Sequence, residues 1–250
     1  MLELYHYEPT TNSGEVLILL KEKGIDFVSR YVDVLAFEQL DPEFLKVNPQ
    51  GQVPVLVHDR KVVTETGFIL QYLEATFHTP SFTPHDAKGR YWVNVWIKYV
   101  NEYLAPAAWK LGLGRDGGRR DPAVGREALA RAPLERQQGW DKALGGQSAA
   151  DLEIARALLP TRLAHVEAAL AAHEWLAGEH YSIADIAVFP TLAALPGLVP
   201  DLVNETAAPK AMAWLERVRA RPPVQEALAY ARSEAPEAMF APGPEGSRWG

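Results

Sequence analysis

The stretch from Asn48 to Val57, Asn-Pro-Gln-Gly-Gln-Val-Pro-Val-Leu-Val, restricts the fold of this chain more than any other feature. Proline has no backbone N–H, so Pro54 places an open strand edge inside a short apolar run. The Val53–Pro54 bond is a candidate for the cis isomer, which X–Pro bonds adopt more readily than others. Glu65 and Thr66 then open the next helix. An open edge beside a helix N-terminus with a carboxylate and a hydroxyl is suited to binding a small peptide.

Strand and helix patterns alternate over residues 1–78. The pattern predicts strands at Leu2–Tyr7, Phe27–Val32, Val53–Val57 and Lys61–Thr64, and helices at Ser13–Gly24, Asp41–Val47 and Gly67–Phe77. The order βαβ followed by ββα is typical of a thioredoxin-like α/β domain, in which helices cover both faces of a four-stranded mixed sheet.

The remaining sequence is helical in pattern after a linker at 79–88. Helices are predicted at Arg90–Trp109, Leu152–His173, Ser182–Ala194 and Ala208–Arg221, the last of which Pro222 and Pro223 end. Within this all-helical domain at 89–232, the composition of 112–150 predicts a partly helical insertion. Residues 233–250 are rich in Pro, Gly and Glu and predict a poorly ordered tail.

Composition excludes several classes of function. The chain has no cysteine, which rules out disulfides and a protein thiolate nucleophile. The net charge of −7 and the scattered lysines and arginines argue against nucleic-acid binding. The apolar runs are too short for a membrane span, and no secretory signal precedes the first strand, so a cytoplasmic protein is expected. The seven histidines lack metal-ligand spacing, and no metal is expected.

Asn12 and Ser13 open the first predicted helix. The free N–H groups and the positive dipole at such a helix end, together with a hydroxyl and an amide, would stabilise a ligand thiolate. Serine and asparagine are also favoured N-caps, so helix capping explains the same two residues.

The second candidate set is Gln52, Val53, Glu65 and Thr66. A γ-glutamyl group carries an ammonium that Glu65 can pair with and a carboxylate that Thr66 and the helix N–H groups can hold. The Val53 backbone would bind the cysteine of a peptide such as glutathione by strand addition, and Gln52 could reach its glycine carboxylate. Thr66 is also an obvious cap for a helix that begins at Gly67.

Aromatic residues recur at helical spacing on the first long helix. Such a stripe is usually core, but this helix would face the peptide-binding domain. Tyr99, Tyr103 and Trp109 are therefore candidates for a pocket that accepts an aromatic substrate.

Two further motifs are not assigned a function. Ser182 and Asp185 have the spacing of a capping box, which accounts for the polar groups of both. Gly112 to Gly117 matches the dinucleotide fingerprint by letter, but it follows a helix instead of a strand, so the match is attributed to chance.

Taken together, these motifs resemble the cytosolic glutathione S-transferase family, with Glu65-Thr66 in place of the usual Glu-Ser. A narrower resemblance links the chain to the bacterial glutathione-dependent β-aryl etherases that cleave lignin-derived ethers. The segments that carry it are Phe37–Gln39, Gly51–Pro54, Lys61–Glu65, Tyr72–Glu74, Val100–Tyr103 and His173–Leu176. Related dehalogenases and reductive transferases place a cysteine near Asn12 or Ser13, and this chain has none.

The resemblance implies an enzyme that directs the glutathione thiolate at an electrophilic, aromatic substrate, and the narrower resemblance implies that this substrate is a β-aryl ether. Ser13 and Asn12 would stabilise the thiolate. Gln52, Val53, Pro54, Glu65 and Thr66 would bind glutathione. The family implies a homodimer. Two alternatives stay open: a non-catalytic transferase-like module that binds ligands or partners, and a general detoxifying transferase.

Overall fold

The structure, a computed structural model, describes residues 1–116, 122–132, 134, 137 and 148–232. The tail predicted at 233–250 lies outside the described residues, as does much of the insertion predicted at 112–150. The described parts of that insertion are helical at 112–116 and over Pro122–Leu129.

The first part of the chain forms a four-stranded sheet of order β2-β1-β3-β4. The strands are β1 (Leu2–His6), β2 (Val28–Tyr31), β3 (Val55–His58) and β4 (Lys61–Val63), and the helices are α1 (Asn12–Glu22), α2 (Pro42–Val47) and α3 (Thr66–Thr76). β1 and β2 are parallel, whereas β1 with β3 and β3 with β4 are antiparallel. This arrangement confirms the predicted mixed sheet of a thioredoxin-like domain.

Strand β3 begins at Val55 instead of Val53, so the backbone that was predicted to be an open strand edge lies before the first residue of the strand. Its pairing with β1 stops at Tyr5–Val55, because Pro54 has no N–H to continue the ladder. Strand β3 lies between β1 and β4 and is therefore not an edge strand, so the prediction of an open edge at Pro54 is wrong. The unpaired backbone is that of Val53 and Pro54, which extends beyond the end of this interior strand. The Val53–Pro54 peptide bond is cis, as expected.

The second part is helical, as predicted. Its helices are α4 (Ala87–Tyr99), α5 (Ala105–Asp116), α6 (Pro122–Leu129), α7 (Ala149–Ala172), α8 (Ile183–Leu198), α9 (Pro209–Arg219) and α10 (Pro222–Leu228). None of the helices in the described ranges is long and apolar enough to cross a membrane. Because Gly112 lies inside α5, the described part of the dinucleotide-like motif lacks the strand that such a motif requires.

Prolines account for two differences from the predicted helices. The single predicted helix Arg90–Trp109 is two helices joined by a π-helical turn at Val100–Leu104, because Pro106 has no N–H to donate to the carbonyl of Glu102. Pro222 and Pro223 do not simply end a helix: they occupy the first turn of α10, where a missing N–H costs nothing.

Two hydrophobic cores hold the fold together. The central core joins α1 and α3 of the first part to α4, α8 and α9 of the second, through side chains such as Leu17, Ile69, Val93, Phe189 and Trp214. The second core contains Tyr7, Val32, Val34, Phe37, Leu40, Phe44, Val53, Val55, Ala128, Leu129 and Ala132. Helix α6 therefore packs with the ends of β1 and β3.

Candidate active site

The first helix begins one residue earlier than the sequence indicated. Thr11 is its N-cap, and its hydroxyl oxygen accepts a hydrogen bond from the Ser13 backbone N–H at 3.2 Å. Asn12 and Ser13 are thus the first two residues of α1, and neither side chain is needed as the cap. The prediction that capping explains these two residues is wrong, because Thr11 performs that role.

Ser13 connects the start of α1 to the end of β1. Its side chain is fully buried, and its hydroxyl oxygen accepts the Tyr7 backbone N–H at 3.0 Å. A serine hydroxyl is both an acceptor and a donor, and this bond uses a lone pair of the oxygen. The bond with Tyr7 therefore does not use the hydroxyl proton.

Asn12 connects the same helix to the open end of β3. Its side-chain Nδ2 donates to the Val53 carbonyl oxygen at 3.4 Å, and the side chain is half-buried. The structure thus brings together Asn12, Ser13 and Val53, three of the residues that the sequence predicted for the site.

The turn before Val53 is held by Asn48, a residue that the motif contained but to which no role was given. Its Nδ2 donates to the Gln52 carbonyl at 2.9 Å, and its Oδ1 accepts the Gln50 N–H at 3.1 Å. Gly51 has a φ of +62°, which glycine adopts without steric cost, and a Cβ there would lie 2.7 Å from Leu40 Cδ2 and force that side chain to shift. These constraints fix the backbone of Gln52 and Val53, whereas the Gln52 side chain is only half-buried.

Glu65 and Thr66 lie at the start of α3. The helix begins at Thr66, so the predicted Thr66 cap is wrong: Glu65 occupies the cap position, and its carbonyl accepts the Ile69 N–H at 2.9 Å. Glu65 has a φ of 68°, a left-handed conformation that is unfavourable for a residue with a β-carbon. Its carboxylate makes no capping bond with the helix. Observed strain of this kind is concentrated at functional sites.

The register between β3 and β4 shows where Glu65 and Thr66 lie relative to Asn12 and Ser13. Leu56 pairs with Val63 across β3 and β4, and continuing the register by two residues on each strand leads from Leu56 to Pro54 and from Val63 to Glu65. The open end of β3 therefore lies between the N-termini of α1 and α3. Both helix ends carry partial positive charge, which favours a thiolate and a carboxylate. At α1 the Ser13 and Gly14 N–H groups are already bonded to Thr11, so the dipole is the contribution of that helix end.

Glu8, beside this site, was not identified from the sequence. It is buried, accepts the Tyr31 hydroxyl at 2.6 Å and accepts the Arg232 backbone N–H at 3.1 Å. Burial and the Glu8 hydrogen bond raise the pKa of Tyr31 far above its ordinary value, so Tyr31 is a neutral donor. The C-terminal end of the described chain thus fixes the loop between β1 and α1.

The three aromatic pocket candidates lie in two different places. Tyr99 donates its hydroxyl to the Arg162 carbonyl at 2.7 Å and stacks on the exposed Tyr103 at 5.6 Å between ring centroids. Burial raises the pKa of Tyr99 to about 12. Trp109 is half-buried and packs against both cores, including the second core that contains Tyr7 and Val53. Trp109 therefore packs against the core that also contains Val53, whereas Tyr99 and Tyr103 contact α7 through Arg162 and His165.

The capping box at α8 has the structural role that the sequence predicted. Ser182 and Asp185 exchange both bonds of the box, and Asp185 also accepts bonds from the Leu176 N–H and the Trp214 indole. Within the described part of the chain, no group of three or more His, Asp or Glu side chains could hold a metal ion.

Comparison with known proteins gives one consistent result. The family model "Glutathione S-transferase, N-terminal domain" matches residues 1–75, and the corresponding C-terminal domain model matches residues 124–222. Protein LigF of Sphingobium sp. is 35% identical over 246 residues, which cover 93% of this chain and 95% of that protein. The crystal structure of beta-etherase LigF from this organism matches with a TM-score of 0.85 at 33% identity, covering 91% of this chain and 98% of that one.

A structure with bound ligand also matches. A glutathione transferase from Burkholderia graminis, solved with two glutathione molecules per subunit, has a TM-score of 0.72 at 28% identity. The match covers 92% of this chain and 88% of that one.

Proposed function

The chain belongs to the glutathione S-transferase family, and on that premise we propose that it uses glutathione to cleave the ether bond of an aromatic β-aryl ether ketone. The observation that carries the proposal is the likeness to beta-etherase LigF over 91% of this chain at a TM-score of 0.85. The family assignment makes this chain an enzyme of glutathione-dependent transfer. The substrate class is the part that we propose.

Glutathione fits the open end of β3 and the two helix N-termini around it. The Val53 backbone, held by the turn at Asn48, binds the cysteine of glutathione as an added strand would. The Glu65 carboxylate pairs with the γ-glutamyl ammonium, and Thr66 with the N-terminus of α3 binds the adjacent carboxylate. Gln52 reaches the glycine carboxylate. Pro54 keeps the end of the strand open for this backbone.

Ser13 and Asn12 stabilise the sulfur of bound glutathione as a thiolate. The Ser13 hydroxyl would donate its proton to the sulfur, since its oxygen is only an acceptor in the bond with the Tyr7 N–H. Asn12 lies next to it and also contacts the Val53 carbonyl. The N-terminus of α1 adds its dipole, which lowers the pKa of a thiol placed there.

The chemistry requires no nucleophile from the protein. Glutathione supplies the sulfur, which forms a bond to the carbon next to the ketone, while the bond from that carbon to the aryl ether oxygen breaks. The leaving phenolate takes a proton from water. The residues of the chain contribute by holding the sulfur and that carbon in line, and by keeping the thiol ionised.

We extend the proposal to a cytoplasmic homodimer. Three aromatic side chains on α3 and α4 are exposed although they are large and apolar: Phe68 at 59%, Tyr91 at 61% and Trp92 at 41%. Exposed apolar surface of this kind marks protein interfaces, and a second copy of the chain would cover it. Sedimentation should give twice the 27.7 kDa chain mass, and a monomer at all concentrations would refute this part.

The substrate proposal is tested by supplying glutathione with a phenacyl ether of a fluorescent phenol. Release of the phenol should require both the enzyme and glutathione. A Glu65→Gln variant should lose glutathione affinity, whereas Glu43→Gln, a change on the exposed surface of α2, should not.

Two results would overturn this proposal. Turnover of an activated aryl halide without release of the phenol would indicate a general transferase. Absence of glutathione binding in calorimetry would indicate a non-catalytic module.

A further inference from the structure

The indole N–H of Trp109 is a buried donor for which the described residues offer no acceptor. Its Nε1 is inaccessible to solvent and has no hydrogen-bond partner among the described residues. Two other buried tryptophans are paired: Trp96 donates to the Leu176 carbonyl at 2.8 Å, and Trp214 donates to Asp185 at 2.8 Å. Because buried donors are nearly always paired, the exception at Trp109 requires an explanation.

The position of Trp109 suggests why its N–H is unpaired. It lies on α5, and among the half-buried hydrophobic side chains of the described residues it alone packs against both cores. The second core includes Tyr7, whose N–H anchors Ser13, and Val53, which contacts Asn12. Trp109 thus packs against the helical core and against the same core that contains these two residues of the proposed site.

A buried water is a poor partner for this donor. Such a water needs about two to four polar partners. The second core, against which Trp109 packs, instead consists of hydrophobic residues, among them Ala128, Leu129 and Ala132. An acceptor atom that belongs to an otherwise apolar ligand suits this environment better.

We propose that the Trp109 indole N–H donates a hydrogen bond to the carbonyl oxygen of an aromatic ketone ligand and thereby selects substrates that carry this oxygen. The assignment rests on the proposed function for the location of the sulfur. A carbonyl next to the attacked carbon withdraws electrons, and a hydrogen bond to its oxygen strengthens this effect. A site built around a buried donor also rejects the analogue that lacks the acceptor, since the donor then stays unpaired.

A matched pair of ligands isolates this bond without requiring turnover. S-phenacylglutathione carries the carbonyl, and S-(2-phenylethyl)glutathione has a methylene in its place. In calorimetry, the unmodified enzyme should bind the carbonyl ligand about 10-fold or more tightly than the methylene ligand. In Trp109→Phe, which keeps an aromatic ring but lacks the N–H, this preference should fall to about 1–3-fold, with little change for the methylene ligand.

Two companion variants make the result specific. Benzothienylalanine at position 109 keeps the bicyclic shape of tryptophan without the N–H and should reproduce the lost preference even if Trp109→Phe fails to fold. Tyr103→Phe removes an exposed hydroxyl and should keep the preference.

The outcomes separate this inference from the proposed function. Equal affinity of the unmodified enzyme for both ligands, or a carbonyl preference that survives in the benzothienylalanine variant, would overturn the role of Trp109. A preference that depends on Trp109 in an enzyme that releases no phenol would support the donor and refute the ether substrate. Failure to bind either ligand would overturn both.

Discussion

The hydroxyl oxygen of Ser13 accepts the Tyr7 backbone N–H, and this bond does not use the hydroxyl proton. In the proposed function this proton stabilises the glutathione thiolate. A hydrogen bond to a charged group contributes about 1.5–3 kcal/mol, so Ser13→Ala should reduce kcat/KM by about 10–100-fold. The pKa of the bound glutathione thiol should rise by about 1–2 units, because the thiolate loses a donor. Thiolate absorbance against pH measures this shift.

The same measurement on Asn12→Ala distinguishes the two candidates. If Ser13→Ala leaves the pH–rate profile unchanged and Asn12→Ala shifts it, the role belongs to Asn12. If neither variant shifts the profile, the dipole of α1 alone ionises the thiol. Circular dichroism is needed as a control, since Ser13→Ala also leaves the Tyr7 N–H without its acceptor.

At the residue scale, local patterns indicated some residues of the candidate site and not others. Pro54 and Glu65 were visible because proline and a carboxylate before a helix carry local signals. Glu8 was not visible, because nothing in the sequence around it indicates burial or a bond to Arg232. The unpaired N–H of Trp109 is likewise a property of packing in three dimensions.

At the scale of elements, Asp185 holds the start of α8 with four hydrogen bonds. Its Oδ1 accepts bonds from the Leu176 N–H and the Trp214 indole, and its Oδ2 accepts bonds from the N–H and hydroxyl of Ser182. Asp185→Asn replaces one of these acceptors with an amide donor. Because a buried unpaired donor costs about 1–3 kcal/mol, the free energy of unfolding should fall by that amount at pH 7. Urea denaturation measures it.

The pH dependence of the free energy of unfolding, compared between the unmodified protein and Asp185→Asn, gives a second test. Burial raises the pKa of Asp185 from 3.8 to about 6, against the four hydrogen bonds that lower it. Between these values the folded protein binds more protons than the unfolded chain, so its free energy of unfolding falls as pH rises through this window. Asp185→Asn lacks this titration. The stability difference between the two proteins should therefore widen from pH 7 towards pH 4, and a constant difference would contradict the raised pKa.

Helix boundaries show what local patterns leave out. The capping box at Ser182 and Asp185 was predicted because its residues are three positions apart and satisfy each other. The π-helical turn at Val100–Leu104 was not predicted, because the missing N–H of Pro106 can be accommodated by a kink, a break or a turn of this kind. Packing between α4, α5 and their neighbours decides among these.

At the scale of the whole molecule, Lys23 joins the thioredoxin-like part to the linker. Its ammonium is fully buried and bonds Glu74 at 2.6 Å, the Phe77 carbonyl at 2.7 Å and the Pro80 carbonyl at 2.6 Å. Lys23→Met leaves the Glu74 carboxylate without its charged partner, and breaking a buried ion pair in this way costs about 3–5 kcal/mol. Urea denaturation should show this loss of stability.

Two variants serve as controls for this ion pair. Lys23→Met combined with Glu74→Gln should recover part of the loss, and a double variant as unstable as the single one would contradict the explanation. Lys46→Met removes the partner of Glu43 on the exposed surface of α2, and it should change stability by less than about 1 kcal/mol.

The order of elements in the whole molecule was predictable, whereas the contacts between its parts were not. Alternation of strand and helix patterns indicated the mixed sheet, and the later helical periodicity indicated the second part. Arg221 binds Glu22, a residue 199 positions earlier, through two bonds of 2.6 and 2.8 Å. A pair so distant leaves no periodic pattern in a single sequence.

The bond between Arg232 and Glu8 has a consequence for synthesis. It spans 224 positions and fixes the loop that leads into α1. A ribosome adds Arg232 to the chain 224 residues after Glu8, so the nascent chain carries Asn12 and Ser13 long before this loop can be held in place. The proposed thiolate site is therefore completed only after Arg232 has been added.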